Sequence, residues 1–155
     1  MNTTTAQRQR LQELRNALLD LHKTLVDSER VGYEKTFGSI QSPNHFLQLL
    51  THDPWFAWLQ PFSQLIVAMD EALEEKEPLT TTGFNALVNQ TQLLLVASET
   101  GDGFARHYFD ALQRDPDVVL AHAEAVKHLG GRRSRASGGA HGNPAPSPEP
   151  PSSSS

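Results

Sequence analysis

The chain has 155 residues, no cysteine and a formal net charge of −5. The length favours a single domain. The absence of cysteine excludes disulfides, thiolate zinc sites, cysteine-ligated iron–sulfur clusters, covalent c-type haem and a cysteine nucleophile. The first ten residues contain no apolar segment of the signal-peptide kind, and the aliphatic runs are much too short to span a bilayer. The sequence therefore predicts a cytoplasmic protein that does not enter the membrane.

Composition divides the chain into a foldable body, residues 1–129, and a tail, residues 130–155. The tail has no Leu, Ile, Val or aromatic residue, so it cannot offset the entropy lost on ordering, and we expect it to be disordered. The body carries 10 Lys and Arg residues against 17 Asp and Glu residues. An acidic surface repels phosphate backbones, so we expect the body not to bind nucleic acid.

The first predicted helix runs from about Thr5 to Phe37 and has a continuous apolar seam. Its leucines are spaced 3, 4, 3 and 4 residues apart, which places them on one helical face; they are Leu11, Leu14, Leu18, Leu21 and Leu25. The same spacing continues to Ser28 and Gly32. Because these two residues are small, we expect a notch that admits a close neighbour, and an indole ring is a natural occupant.

Three Ser-Pro or Asp-Pro pairs mark helix starts, at Ser42-Pro43, Asp53-Pro54 and Asp115-Pro116. Each supplies a capping side chain followed by a proline suited to the first helical position. The second pair opens the most aromatic stretch of the chain, which contains both tryptophans. Pro61 follows seven residues after Pro54, so we expect a kink or a break between Ala57 and Pro61.

Three further helices are predicted, at about residues 83–99, 104–114 and 116–129. The expected apolar face of the first comprises Phe84, Leu87, Val88, Leu94 and Leu95, broadened by Leu93, Val96 and Ala97. The expected face of the last comprises Val119, Ala123 and Val126. No period-two alternation indicates a strand. The pattern predicts an all-α fold, an up-and-down four-helix bundle with a short extra helix near Pro43 lying across one end.

The block His52-Asp-Pro-Trp-Phe-Ala-Trp-Leu59 and the following Pro61-Phe-Ser-Gln-Leu-Ile-Val-Ala-Met-Asp-Glu71 resemble a block found in small bacterial helical proteins of unknown function. The segment Glu29-Arg-Val-Gly-Tyr-Glu34 resembles the sequence upstream of that block. The resemblance covers about residues 11–71. It implies a bacterial source and a helical fold, and it implies no activity, cofactor or site residue.

Histidines and carboxylates suggest a metal site, because helical bundles can hold metals between facing His, Asp and Glu side chains. The candidates are His22, Glu29, His52, Asp53, His107, His122, Glu124 and His128. Glu124 and His128 are four residues apart and can share a face, whereas His122 and His128 cannot easily share one ion. The Glu-x-x-His and His-Glu-x-x-His signatures are absent. We therefore predict structural or solvated histidines and no metal or other cofactor.

A possible ligand or partner groove is expected where the leucine seam of the first helix ends. Its residues would be Glu29, Tyr33, His52, Asp53 and Trp55. The alternative is a solvated helix end with ordinary i,i+4 pairs. Trp55 and Trp58 could stack a ligand, but two aromatics on an apolar stripe are more often core.

No catalytic pattern is present, so we predict that the protein is not an enzyme. The sequence lacks a nucleophile elbow, and no serine has a base at a recognised spacing. The leading interpretation is a non-enzymatic protein-interaction or regulatory module that associates with itself or with another protein. The alternative is a bundle that binds a metal or small ligand and senses it.

Overall fold

The computed structural model describes residues 5–77 and 79–130, which form six α-helices and one short 3-10 helix without a β-strand. The α-helices are α1 (Thr5–Phe37), α2 (Pro43–His52), α3 (Gln60–Glu74), α4 (Thr81–Leu94), α5 (Gly103–Arg114) and α6 (Pro116–Leu129), and the 3-10 helix is Pro54–Leu59. The prediction of an all-α fold is confirmed. The expected disordered tail lies outside the described residues, apart from Gly130.

The three predicted helix starts are confirmed by hydrogen bonds from backbone amides to the capping side chains. Ser42 Oγ accepts from the amide of His45 at 3.0 Å, and Asp53 accepts from the amide of Trp55 at 2.8 Å. At the third start, a carboxylate oxygen of Asp115 accepts from the amide of Asp117 at 2.9 Å. These bonds satisfy amides that have no carbonyl partner within the helix.

The predicted interruption near Pro61 is present as a change of helix type from 3-10 to α, with no residue outside the helical conformation between the two. The 3-10 helix ends at Leu59, and α3 begins at Gln60 with the proline in its first turn. A proline in that position removes no helical hydrogen bond, because the first-turn amides have no intrahelical acceptor. Both the 3-10 helix and α3 pack against α1.

The leucine seam of α1 forms the centre of the core. All five of its leucines are at most 2% exposed, and burying each such side chain contributes about 1.5–3 kcal/mol. α1 packs against α3 and α6, and α4 packs against the same two helices. α5 packs on α6 and on the 3-10 helix, while α2 packs mainly on the 3-10 helix.

The predicted extent and face of α4 were partly wrong. The helix ends at Leu94 because Leu95 leaves the helical conformation, and Leu93 and Val96 are 70% and 50% exposed. The buried face instead includes Thr91, which is fully buried and donates its hydroxyl hydrogen to Leu87 O at 2.8 Å. A threonine that bonds to its own helix can occupy a core position, which the apolar pattern did not indicate.

The predicted face of α6 was also wrong. Its buried residues are Val118, Ala125 and Leu129, spaced 7 and 4 residues apart. The residues Val119, Ala123 and Val126, which we expected to face the core, are exposed, and Leu120 is 69% exposed. The buried face contains the half-buried His122, whose Nδ1 lies 2.6 Å from the Tyr108 hydroxyl. A histidine with a hydrogen-bond partner can take an interior position.

Two arginines of α1 hold the C-terminal end of α3. The guanidinium of Arg15 forms an ion pair with Asp70 at 2.7 Å, and Arg8 donates to the carbonyl of Leu73. A cation at a helix C-terminus interacts favourably with the helix dipole. Within the described residues, no helix combines the length and apolar character that crossing a bilayer requires.

Candidate interaction site

Trp55 packs into the notch of α1 that the sequence predicted. A Cβ placed on Gly32 would lie 3.2 Å from carbon Cζ2 of the indole, so an alanine here would require the ring to shift by a few tenths of an ångström and a larger side chain would displace it. The indole Nε1 donates to the carbonyl of Glu29 at 3.1 Å. Asp53 orients the start of the segment by capping the Trp55 amide. The ring is half-buried, so it belongs to the periphery of the core.

The side chain of Glu29 is largely buried and is paired with a residue from α5. Its side chain is 11% exposed, and Oε2 accepts from the guanidinium of Arg114 at 2.7 Å. The same guanidinium donates to Ser28 Oγ at 3.3 Å and 3.4 Å. This cluster ties the C-terminal part of α1 to the turn between α5 and α6.

An aromatic group covers the opposite side of the same helix end. The ring centroids of Tyr33 and Phe37 lie 4.8 Å apart, and both rings meet Trp55 edge-on at 5.9 Å and 5.8 Å. Tyr33 also contacts Phe56 at 5.7 Å. Phe37 is 64% exposed although its ring is held by two aromatic neighbours.

A groove of about 600 Å³ lies between α1 and the start of α6. Its α1 residues lie mainly on the face of the helix opposite Tyr33 and Phe37, because Val31 and Tyr33 are about 200° apart around the helix axis. Val31, on its α1 side, is 54% exposed. Gly32 belongs to both regions, since it contacts Trp55 and also lines the groove. The groove residues are Thr24, Asp27, Ser28, Val31, Gly32 and Lys35 from α1, with Arg114, Asp115 and Asp117.

The structure brings together three of the five residues of the predicted groove, namely Glu29, Tyr33 and Trp55. Asp53 adjoins them as the cap of the 3-10 helix. His52 is exposed at the end of α2, and its side chain bonds to no other residue in the described ranges. The i,i+4 pair expected for a solvated helix end is also present, between Arg30 and Glu34 at 3.7 Å.

The candidate metal ligands are distributed over separate contacts. His107 stacks on Trp58, with centroids 5.1 Å apart and an interplanar angle of 15°. His128 pairs with Glu124 at 3.3 Å, which agrees with their predicted common face. In residues 5–77 and 79–130, no three His, Asp or Glu side chains converge in the way a metal ion requires.

Two histidines and one tyrosine have pKa values shifted by their surroundings. Burial lowers the pKa of His22 and that of His122, because it disfavours the charged imidazolium. Burial raises the pKa of the Tyr108 phenol, because it disfavours the charged phenolate. The Tyr108–His122 pair is therefore neutral at pH 7, with one hydrogen shared between a phenol oxygen and a ring nitrogen.

A second polar pair joins residues that no sequence spacing connects. Ser63 Oγ lies 2.9 Å from His22 Nε2, although 41 residues separate them. Ser63 was not among the predicted site residues, and neither were Arg114 and Phe37. Only the packing of α3 on α1 brings Ser63 to His22, so periodicity within either helix could not have indicated the pair.

The comparisons with known proteins give no relative for this chain. No family model, no curated protein and no solved structure matches it. The interpretation of the site therefore depends on its own geometry and chemistry.

Proposed function

We propose that this protein is a non-enzymatic protein-interaction module whose contact surface is the end of α1. We define this contact surface by Tyr33, Phe37 and Trp55. The observation that carries the proposal is Phe37, which is 64% exposed while its ring contacts Tyr33 and Trp55. An exposed aromatic ring already held in place loses little conformational entropy when a partner covers it.

The aromatic composition of the contact surface supports this proposal. Protein interfaces commonly combine an apolar or aromatic centre with a polar rim, and aromatic residues and arginine are enriched at energetic hot spots. The exposed ring of Phe37 therefore fits a partner protein that supplies apolar anchors.

The use of the buried polar groups supports a non-enzymatic role. The carboxylate of Glu29 is neutralised by Arg114, and His122 is bonded to Tyr108. Each of these groups stabilises a contact between helices, so each has a structural explanation. The predicted absence of an enzymatic activity stays part of the proposal.

We extend the proposal to the arrangement of the helices, an up-and-down bundle of α1, α3, α4 and α6. Arg8 near the start of α1 reaches Leu73 near the end of α3, which indicates antiparallel neighbours. Gln7 lies beside Thr81 at the start of α4 and lines a groove with Leu129 at the end of α6. The cytoplasmic location and the bacterial source stay predictions of the sequence.

Self-association is the form of interaction that α6 supports. Its outward face carries Val119, Leu120, Ala123 and Val126, and the leucine is 69% exposed. The leucine seam of α1 is not available for a dimer contact, because its five leucines are buried within one chain. Sedimentation velocity of the Leu120→Glu variant tests this self-association. Leu93→Glu is the control, since Leu93 on α4 is exposed to nearly the same extent. Only Leu120→Glu should shift a dimer to monomer, and an equal effect of both substitutions would contradict self-association through α6.

Site-specific photo-crosslinking tests the contact surface itself. A benzophenone amino acid replaces Phe37 in one variant and Leu93 in the control, in cells that express the protein naturally. The proposal expects a discrete crosslinked protein from position 37 and none from position 93. The same products from both positions, or none from position 37, would remove the support for this surface.

A further inference from the structure

A pocket of about 240 Å³ lies where α1, α2, the 3-10 helix and α3 meet. It is separate from the contact surface at the end of α1 and contains none of that surface's three residues. Its apolar walls are Val26, Leu50, Phe56 and Leu59, and its polar residues are His22, Thr51, Gln60 and Ser63. Apolar walls with a few converging polar groups are typical of small-molecule sites.

The polar groups of the pocket are uncharged at neutral pH. Among the residues that the structure describes, no Asp, Glu, Lys or Arg side chain lines it. His22 is neutral there, because burial holds the pKa of its imidazole below the ordinary value. A charged ligand would lose its hydration without gaining a countercharge, and that loss is costly. The pocket is therefore suited to an uncharged molecule.

The Ser63–His22 pair supplies one place where a ligand hydroxyl can bond. The Ser63 hydroxyl lies 2.9 Å from the imidazole nitrogen, and it is also 3.4 Å from the carbonyl of Leu59. A hydroxyl oxygen has two lone pairs and one hydrogen, so it can accept from a ligand while donating to His22 or Leu59.

We propose that the pocket formed by His22, Val26, Leu50, Phe56 and Ser63 binds a small neutral molecule with a ring and one hydroxyl group, of the phenol class. The volume agrees with this size, because a cavity of about 150 Å³ already holds benzene. The ring would lie against Phe56 and Leu59, and the hydroxyl would bond to Ser63. This inference is independent of the proposed protein contact, and its test does not involve Phe37.

The α2 wall gives the ligand a route of entry. α2 has no fully buried residue and supplies Leu50 and Thr51 to the pocket. An element with few buried contacts opens at a low cost in free energy. Ligand binding should therefore slow amide hydrogen exchange in α2 while leaving exchange in α6 unchanged.

The test is a titration of the full chain with phenol, followed by ¹H–¹⁵N correlation spectra at pH 7.5. We expect saturable shifts of the amides of Val26, Thr51 and Ser63, and no saturable shift in α6. Benzoate, which has a similar size and a negative charge, should bind at least about tenfold more weakly. Shifts confined to other residues, or equal binding of benzoate, would overturn the proposal.

Two substitutions, each with a matched control, connect the binding to this pocket. Ser63→Ala should weaken phenol binding about fivefold to tenfold through the loss of one hydrogen bond, whereas Ser98→Ala should not. Leu50→Trp fills the pocket from its half-buried α2 wall and should abolish binding, whereas Leu47→Trp on the exposed side of α2 should not. If either pocket variant binds phenol as its control does, the assignment is wrong.

Discussion

The indole of Trp55 lies directly against the backbone of Gly32, where an added Cβ would stand 3.2 Å from carbon Cζ2. Gly32→Leu should therefore displace the ring and lower the free energy of unfolding by about 1–3 kcal/mol, the usual cost of overpacking. Gly32→Ala should be close to wild type, because a gain in helix propensity of about 1 kcal/mol offsets the milder crowding. Urea denaturation with tryptophan emission measures both effects. Val31→Leu, at the exposed neighbouring position, is the control. A Gly32→Leu protein with the free energy of unfolding of the wild type would contradict the packing of Trp55 on Gly32.

The two tryptophans should respond differently to replacement by phenylalanine. Trp55 Nε1 donates to Glu29 O at 3.1 Å, whereas Trp58 Nε1 is buried and meets no acceptor among the described residues. Trp55→Phe loses a hydrogen bond worth about 1 kcal/mol, while Trp58→Phe removes an unsatisfied polar group. Denaturant titrations should show Trp55→Phe to be the less stable variant by about that amount. A Trp58→Phe protein less stable than Trp55→Phe would contradict the assignment of the hydrogen bond to Trp55.

The Glu29–Arg114 pair should contribute more to stability than a surface pair of the same chain. A double-mutant cycle with Glu29→Gln and Arg114→Met should give a coupling energy of about 1–3 kcal/mol, since the carboxylate is mostly withdrawn from water. Arg114 is 45% exposed, which keeps the value toward the lower end. The Lys23–Asp27 pair, whose side chains are 77% and 62% exposed at 3.7 Å, should give about 0.5 kcal/mol or less. Equal coupling energies would contradict this assignment.

Stability should fall as the pH drops below the ordinary histidine pKa of about 6.5. Burial lowers the folded-state pKa of both His22 and His122, so below that pH the unfolded chain binds protons that the folded protein does not. The free energy of unfolding therefore rises with pH through this window and becomes independent of these groups above it. Urea titrations from pH 5 to pH 8 measure the slope. His122→Gln should reduce the slope of the free energy of unfolding against pH, and the exposed control His52→Gln should not. Equal slopes in the wild type and both variants would refute the role of the buried histidines.

Much of the fold could be predicted because local signals coincide with tertiary packing. The leucine seam from Leu11 to Leu25 is buried in the core. The three Ser-Pro and Asp-Pro pairs begin helices where the sequence indicated. The notch at Gly32 was also predictable, since a small residue that continues an apolar seam leaves room for a large ring.

The faces of α4 and α6 could not be predicted, because polar residues occupy their buried positions. Thr91 satisfies its hydroxyl within its own helix, and His122 satisfies a ring nitrogen with Tyr108. Apolarity alone pointed to Val119 and Val126 instead. The Ser63–His22 and Glu29–Arg114 contacts depend on which helices are neighbours, and a single sequence contains no direct signal for that. Three of the five residues of the predicted groove, Glu29, Tyr33 and Trp55, lie together because they adjoin the notch.

The most direct test of the proposed interaction module measures stability and complex formation in the same variant, Phe37→Ser. Because Phe37 is 64% exposed, its removal should change the free energy of unfolding by about 0.5 kcal/mol or less. Complex formation should nevertheless be lost, as measured by co-sedimentation with the partner crosslinked from position 37. Leu93→Ser should alter neither quantity. A Phe37→Ser protein that still forms the complex at wild-type affinity would contradict the assignment of the end of α1 as the contact surface.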